Sequence, residues 1–313
     1  MNENKRSRAY SLLILALICW MALYMLCFSK SAAAATAKGL SIAIHSVVPS
    51  VFPYFVISGI FTGSGLSDRL GRKMQWLTHW FALPGCCAGT IVLGIVCGFP
   101  VGAHMTNSLY QKGYIDSEQA ARLAAFTNFC GPMYIIGVLG QKMFDSARLG
   151  MLIFLVQTCL AILSGLFLAY GKRCQSEFTP MTKQIGFASV FTESVTGAAK
   201  STLHICAYIT FFSVFVSSFV PLLKRLSPQM RALIHGFFEM SGGMETLQGL
   251  ENNLFFAVLI VIWSGVSVLM QVICALGQSG VKISIIPYLT VRAVCMPLGG
   301  ILIYIICRIL HFT

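Results

Sequence analysis

Two ionisable side chains stand in apolar surroundings and set the chemical question. Glu239 lies in the short segment from Phe237 to Leu247, and Arg292 lies inside the last apolar stretch, residues 283–310. A charge in hydrocarbon is costly, so it marks a solute path, a coupling site or a buried partner by default. Glu239 fits a proton or cation coupling site, the partner of a cation, or a surface position at a hairpin mouth. Arg292 can offer a bidentate fork to a carboxylate, pair with Glu239, or snorkel to the membrane interface. Ser50, Asn128, Ser241 and Gln271 add hydrogen-bonding groups, and Phe99 and Phe129 add flat faces for stacking. His45 and His204 read either as packed, hydrogen-bonded rings or as proton carriers.

These groups sit beside glycines and prolines that break helices. Pro49 and Pro53 interrupt the apolar run at 40–62. Pro84-Gly85 and Gly98-Phe99-Pro100-Val101-Gly102 bracket a run too short for a clean span, which suits a re-entrant hairpin. Asn128 to Gly131-Pro132 forms another break, and Ser241-Gly242-Gly243 a further one. Pro287 and Pro297 predict that the last stretch is discontinuous as well. A proline removes a helix hydrogen bond and collides with the preceding turn. The exposed helix end then presents free N–H groups and a positive dipole end. Glycine lets the backbone come close to a ligand. The same small residues also serve plain helix packing in membranes.

The elements that must position these residues follow from composition. The 313-residue chain is 57% hydrophobic and only 10% charged, too little charge to cover a soluble surface of this size. Long continuous apolar runs recur, so an all-α polytopic membrane protein is expected, with about 8 transmembrane helices plus re-entrant or broken helices. The net charge of +12 sits in short clusters between apolar runs, such as Lys5, Arg6 and Arg8, then Arg69, Arg72 and Lys73. That is the pattern of cytoplasmic loops, so the N-terminus is expected in the cytoplasm and nucleic acid is not an expected partner. The run from Ser11 to Phe28 exceeds a signal-peptide core and reads as a retained first span, despite the small residues Ser31 to Ala35. The twelve cysteines contain no C-x-x-C pair, so no metal is expected and packing is their role. Asp116 and Gln119 have capping-box spacing and predict a helix over 116–127.

The chain divides into a tail and first helix (1–35), a first repeat (36–171), a polar linker (172–192) and a second repeat (193–313). Ile44-His45 aligns with Leu203-His204, Phe52 with Phe211, Ser58 with Ser217, and Phe81 and Gly85 with Phe238 and Gly242. Gly98, Gln111 and Gly113 align with Gly265, Gln278 and Gly280. Duplicated halves with breaks in matching places point to a secondary transporter, usually with inverted halves. Lys224, Arg225 and Arg231 resist this topology, since they would then lie outside.

Several segments resemble one family. Val47-Val48-Pro49-Ser50-Val51-Phe52-Pro53-Tyr54-Phe55 is similar to the V-x-P-S-L-x-P-F segment of the YlbJ-type sporulation integral membrane proteins. Leu83-Pro84-Gly85, the stretch Gly94 to Ala103, and Phe126 to Pro132 resemble its other signatures, as does Gly236 to Gly243 in the second half. Cys130 departs from the usual small residue, and Tyr54 from phenylalanine. The family groups with nucleoside-recognition (gate) domains and is distantly similar to concentrative nucleoside transporters. The resemblance implies a transporter for a small organic anion, dipicolinic acid, acting in endospore formation from the mother-cell-derived outer forespore membrane, with other sporulation membrane proteins as partners beside the bilayer.

Dipicolinate is a flat aromatic dianion, and bare transfer into hydrocarbon would cost many kcal/mol. The substrate-binding candidates are Ser50, Gly85, Gly98, Phe99, Gly102, Asn128, Gly131, Glu239, Ser241, Gly242, Gln271 and Arg292. The helix breaks are Pro49, Pro53, Pro84, Pro100 and Pro132. Two other readings stand beside this one: a nucleoside or nucleobase carrier, and a structural protein of the spore envelope membrane without transport. No phosphate loop, H-E-x-x-H or G-x-S-x-G motif occurs, so neither an enzyme nor a cofactor is expected.

Overall fold

The computed structural model describes residues 2–173, 186–251, 253–277 and 283–310. Lys183, Gln278 and Gly280 lie outside the described residues, as do the side chains of Lys5, Arg6 and Arg72. The described residues form helices joined by turns. Five helical stretches are long and apolar enough to cross a membrane: Ser29–Gly63, Ala147–Ala169, Phe187–Ser217, Leu254–Gly277 and Ile286–Ile309. Their outer faces are apolar. Leu163, Phe167 and Leu203 are each more than half exposed, which hydrocarbon accommodates and water does not. The protein is therefore a polytopic helical membrane protein, with five such stretches among the described residues where about eight spans are expected, and with shorter apolar helices, Ser11–Cys27 and Cys87–Cys97, beside them.

Helix α1 (Asn2–Cys27) leads into α2 (Ser29–Ile42), which continues through a π-helical turn (Ala43–Val47) into α3 (Val48–Gly63). Trp20 Nε1 of α1 donates to Ser218 Oγ, and Tyr24 bonds Ser217, so α1 is docked on the body. Pro49 and Pro53 were expected to break this span, and they do not. The π turn shifts the hydrogen bonding by one residue, with Val48 N donating to Ala43 O, and the wider turn takes up the proline rings.

Two short helices, α4 (Leu66–Lys73) and α5 (Gln75–Trp80), precede α6 (Cys87–Cys97) and α7 (Val101–Gln111). The last two pack on each other as a hairpin whose tip is Gly98–Pro100, as expected for this segment. Helix α8 (Ser117–Thr127) starts with the expected capping box, Asp116 Oδ1 accepting from Gln119 N at 2.8 Å and Gln119 Oε1 from Asp116 N at 3.0 Å. The chain then breaks at 128–132 and resumes as a π-helix (Met133–Met143), which packs along α9 (Ala147–Ala169).

Helix α10 (Phe187–Ser217) begins inside the expected linker and runs antiparallel to α2 and α3. A Cβ on Gly39 would sit 2.7 Å from Ser213 Oγ, on Gly59 2.9 Å from Ser194 Cβ, and on Gly63 2.8 Å from Val190 Cγ1. After α11 (Val220–Leu223), α12 (Pro228–Phe238) and α13 (Met240–Leu247) form a second hairpin. Its corner is Glu239, not the expected glycine break at Ser241 to Gly243. Those glycines instead let α13 lie directly on α12, where Gly243 faces the backbone of Gly236. The apolar run at 254–276 is cut into α14 (Leu254–Trp263) and α15 (Gly265–Gly277) at Ser264, which has φ +71°. The last stretch was expected to be discontinuous, yet α16 (Ile286–Ile309) is unbroken through Pro297. Its packing on α8, α9 and α14 outweighs one lost hydrogen bond of the proline, about 3 kcal/mol.

Candidate functional site

Each hairpin tip seats on one break. Phe99 N at the first tip donates to Phe129 O at 3.0 Å. Gly98 holds φ +73° there, and a Cβ would collide with Gly131 N. At the second tip, Trp263 Nε1 donates to Phe237 O at 2.9 Å. Gly265, at φ +87°, lies so close that a Cβ would be 3.1 Å from Met240 N. In both places a side chain would push the tip off its seat.

A cavity opens where the tips and breaks converge. The first tip contributes Cys97 and Phe99, and the first break Cys130, Gly131, Met133 and Tyr134. The second tip contributes Glu239, Met240 and Ser241, and α15 adds Val268 and Gln271. The span of α3 closes one wall with Val47, Ser50, Val51 and Tyr54, and α10 closes another with Ile205 and Ile209. The space open to the centres of water-sized molecules is about 30 Å³. One water needs ~10–15 Å³ on that measure. The cavity therefore has room for no more than two or so water-sized molecules in this conformation, and an aromatic solute must part the tips to enter.

Glu239 is 2% exposed and caps its own helix. Oε1 accepts from Ser241 N at 3.0 Å and Oε2 from Gly242 N at 2.5 Å. The N-terminus of α7 is capped too, because Asn128 Oδ1 accepts from Ala103 N at 2.7 Å. The break residues were expected to leave N–H groups free for an anion. At both hairpins an oxygen of the protein already takes them, since a buried N–H must be paired.

Arg292 is fully buried but does not line the cavity. Nη1 donates to Ile262 O at 2.7 Å, and Nη2 donates to Asn128 O. Those carbonyls belong to the ends of α14 and α8, which lack helical partners and carry the negative dipole end. The guanidinium lies 3.8 Å from the centre of the Phe129 ring and 4.9 Å from that of Tyr288. It ties the two broken spans together; it neither snorkels nor makes an ion pair with Glu239. Gln157 of α9 plays a lesser part at the first break, donating to Cys130 O at 2.8 Å.

The structure thus brings Ser50, Phe99, Gly131, Glu239, Ser241 and Gln271 together around the cavity. Asn128, Gly98 and Gly102 pack immediately behind it, with Gly102 against the Thr127 carbonyl. Gly85 lies elsewhere, against the Gly71 backbone, and Pro84 sits in the turn before α6. Pro100 belongs to the first tip, and Pro132 starts the π-helix. His45 and His204 are exposed on the outer surface; His45 Nδ1 bonds Ser41 O at 3.0 Å. Sequence reasoning missed Tyr134, Ile205 and Ile209, which carry no signal beyond apolar runs.

Residues 44–173 match the family model described as Gate, nucleoside recognition. The chain is 25% identical to the sporulation integral membrane protein YlbJ of Bacillus subtilis (strain 168) over 319 aligned residues. That alignment covers 88% of this chain and 78% of the relative. No solved structure matches the chain.

Proposed function

We propose that this YlbJ-like membrane protein, with its nucleoside-recognition gate domain, is a carrier that moves a small organic anion, dipicolinate, across a membrane of the developing spore. The observation that carries this reading is the cavity at the meeting point of two hairpin tips and two interrupted spans, mainly apolar and carrying Ser50, Glu239, Ser241 and Gln271 as polar groups. Irregular backbone at membrane depth is tolerated where it lines such a cavity, and broken helices in corresponding places are a hallmark of solute sites.

The two halves are read as inverted copies. Each has a hairpin, then a broken span, then a continuous span, and α3 and α10 run in opposite directions; this order matches the Gly98 tip with Glu239 and the 128–132 break with Ser264, in place of the expected match of Gly98 with Gly265. With both hairpins re-entrant, the start of α1, the 64–80 segment, residues 170–173 and the start of α10 fall on one side. Lys172 at the end of α9 pairs with Glu118 at the start of α8 at 2.9 Å on that side. Its basic residues make it the cytoplasmic face.

Once the tips part, a flat solute would meet the rings of Phe99 and Tyr54 in the lining, with Ser50, Ser241 and Gln271 as bonding groups. Gln271 Oε1 has no partner and Ser241 stands at the second tip. Neither lysine nor arginine lines the cavity among the described residues. That favours a second reading, a neutral nucleoside or nucleobase, which needs hydrogen bonds rather than a counter-charge. Uptake of labelled dipicolinate into proteoliposomes of the purified protein, with uridine and a nucleobase as competitors, tests both. Saturable dipicolinate uptake resistant to uridine supports the first reading. Uptake of uridine alone replaces it with the second, and uptake of neither removes the carrier.

A further inference from the structure

Behind the second tip lies a histidine that the cargo cavity does not use. His235 of α12 precedes Glu239 by one helical turn, and its ring is part-buried with Nε2 on the inner side. The hydroxyl of Thr246 donates to Gly242 O at 2.8 Å, so its oxygen is left to accept. His235 Nδ1 lies 3.1 Å from that oxygen and must therefore carry the proton. Nε2 is then a bare acceptor, and it has no partner. A buried ring nitrogen without a donor is an uncommon arrangement.

Gly242 explains where this nitrogen points. A Cβ on Gly242 would collide with His235 Nε2 and lie 3.0 Å from Glu239 Oε2. The imidazole and the carboxylate face the same small space, which exists because residue 242 has no side chain. Both groups there are acceptors, and each Glu239 oxygen already takes one backbone N–H with a lone pair to spare. One proton between them would satisfy both. The other charged and titratable groups around the pair are few. Lys38 of α2 forms an ion pair with Glu245 of α13 at 3.3 Å, at the open end of the hairpin. Tyr134 faces Glu239 and Ser241 from the first break with Cys130 beside it, and Arg292 stands against Phe129.

We propose that His235 and Glu239 form a proton-binding pair that couples transport to a proton gradient, loading one proton beside the cargo in each cycle. The inference rests on the carrier reading of the cavity. An anion cannot settle against an ionised Glu239 in a low dielectric without strong repulsion. A proton taken from solvent at the Lys38–Glu245 mouth passes to Nε2 and then to Glu239 Oε2. Nε2 becomes bare again, and the neutral acid donates to the cargo. When cargo leaves, the proton leaves with it. One proton moving with a dianion carries a net charge of −1 per cycle, and no oxidant or co-reactant is needed.

The test uses full-length protein in proteoliposomes and the His235→Asn variant. Its amide nitrogen keeps the bond to Thr246, while the Nε2 acceptor is removed. Wild-type protein is expected to accumulate dipicolinate when the side from which it is taken is made acidic. H235N is expected to keep dipicolinate counterflow and to lose gradient-driven accumulation. A second readout needs no cargo: infrared titration in detergent should show a carboxylic-acid band in the wild type that is absent in E239Q and shifted in H235N. Counterflow without any response to the gradient, or H235N with full gradient-driven accumulation, overturns the proton pair and leaves the carrier standing. Absence of both uptake and counterflow removes the carrier, and a carboxylic-acid band indifferent to both substitutions then removes the pair too.

Discussion

The two hairpins have the same shape and opposite chemistry. At the first, the tip is apolar, Gly98-Phe99-Pro100, and the N-terminus of α7 is capped by a neutral amide reaching over from the neighbouring break, Asn128. At the second, the N-terminus of α13 is capped from within by the carboxylate of Glu239. Geometry is shared because both tips need only small residues where they meet a break: Gly98 on Phe129–Gly131, and Gly265 beneath Gly236–Met240. Charge is not part of that requirement. One hairpin is therefore free to be a passive wall, while the other carries the ionisable group. Arg292 holds the two breaks at a fixed spacing by taking one carbonyl from each.

The comparison is broken most severely by filling a contact where a glycine lies directly on backbone. Gly243→Ala places a Cβ against the Gly236 backbone, and Gly98→Ala does the same against Gly131 at a left-handed φ. Backbone cannot yield as a side chain can. Each change is expected to cost roughly 3 kcal/mol or more and to leave little monodisperse protein on gel filtration. Next is Arg292→Met, which orphans the Asn128 and Ile262 carbonyls at about 1–3 kcal/mol apiece. Thermal unfolding in detergent should show a clearly larger loss than for Gln157→Ala, which frees one carbonyl.

The caps separate the hairpins. Asn128→Ala and Glu239→Ala should lower stability similarly, by about 0.5–2 kcal/mol. Only Glu239→Ala should also abolish cargo uptake. Equal loss of uptake in two equally folded variants would erase the distinction between a wall and a working tip. Phe99→Ala removes a stacking face of ~0.5–1.5 kcal/mol and should weaken apparent affinity by up to about tenfold, read as a raised half-saturation concentration. The smallest change is Gly137→Ala in the π-helix, where a Cβ meets nothing, with an expected effect within about 0.5 kcal/mol.

Much of this architecture is legible in the sequence because membrane helices are coded by length and hydropathy. The spans, the capping box at Asp116, the first hairpin and the break at Gly131-Pro132 all follow from local rules. Proline misled in both directions. Pro49, Pro53 and Pro297 sit in continuous helices, because a π turn or dense packing absorbs the lost bond. Ser264 and Glu239 break the chain without proline. Those breaks are made by tertiary seating of a tip on a span, which no local pattern encodes. The site was half visible for the same reason. Glu239 stood out as a charge in an apolar segment, and its helical spacing to His235 was the available signal for the pair. Arg292 stood out equally, yet its role depends on carbonyls 164 and 30 residues away in the chain.

The cargo cavity between the tips is tested most directly by equilibrium binding of labelled dipicolinate to purified wild-type protein and to Glu239→Gln, from mildly acidic to mildly alkaline solution. If cargo sits against Glu239, wild-type binding weakens as the solution becomes alkaline, while the neutral glutamine variant binds with little dependence on pH. Saturable binding that is the same in both proteins at every pH, and that survives a bulky Ser241→Trp change at the tip, would place the cargo outside this cavity.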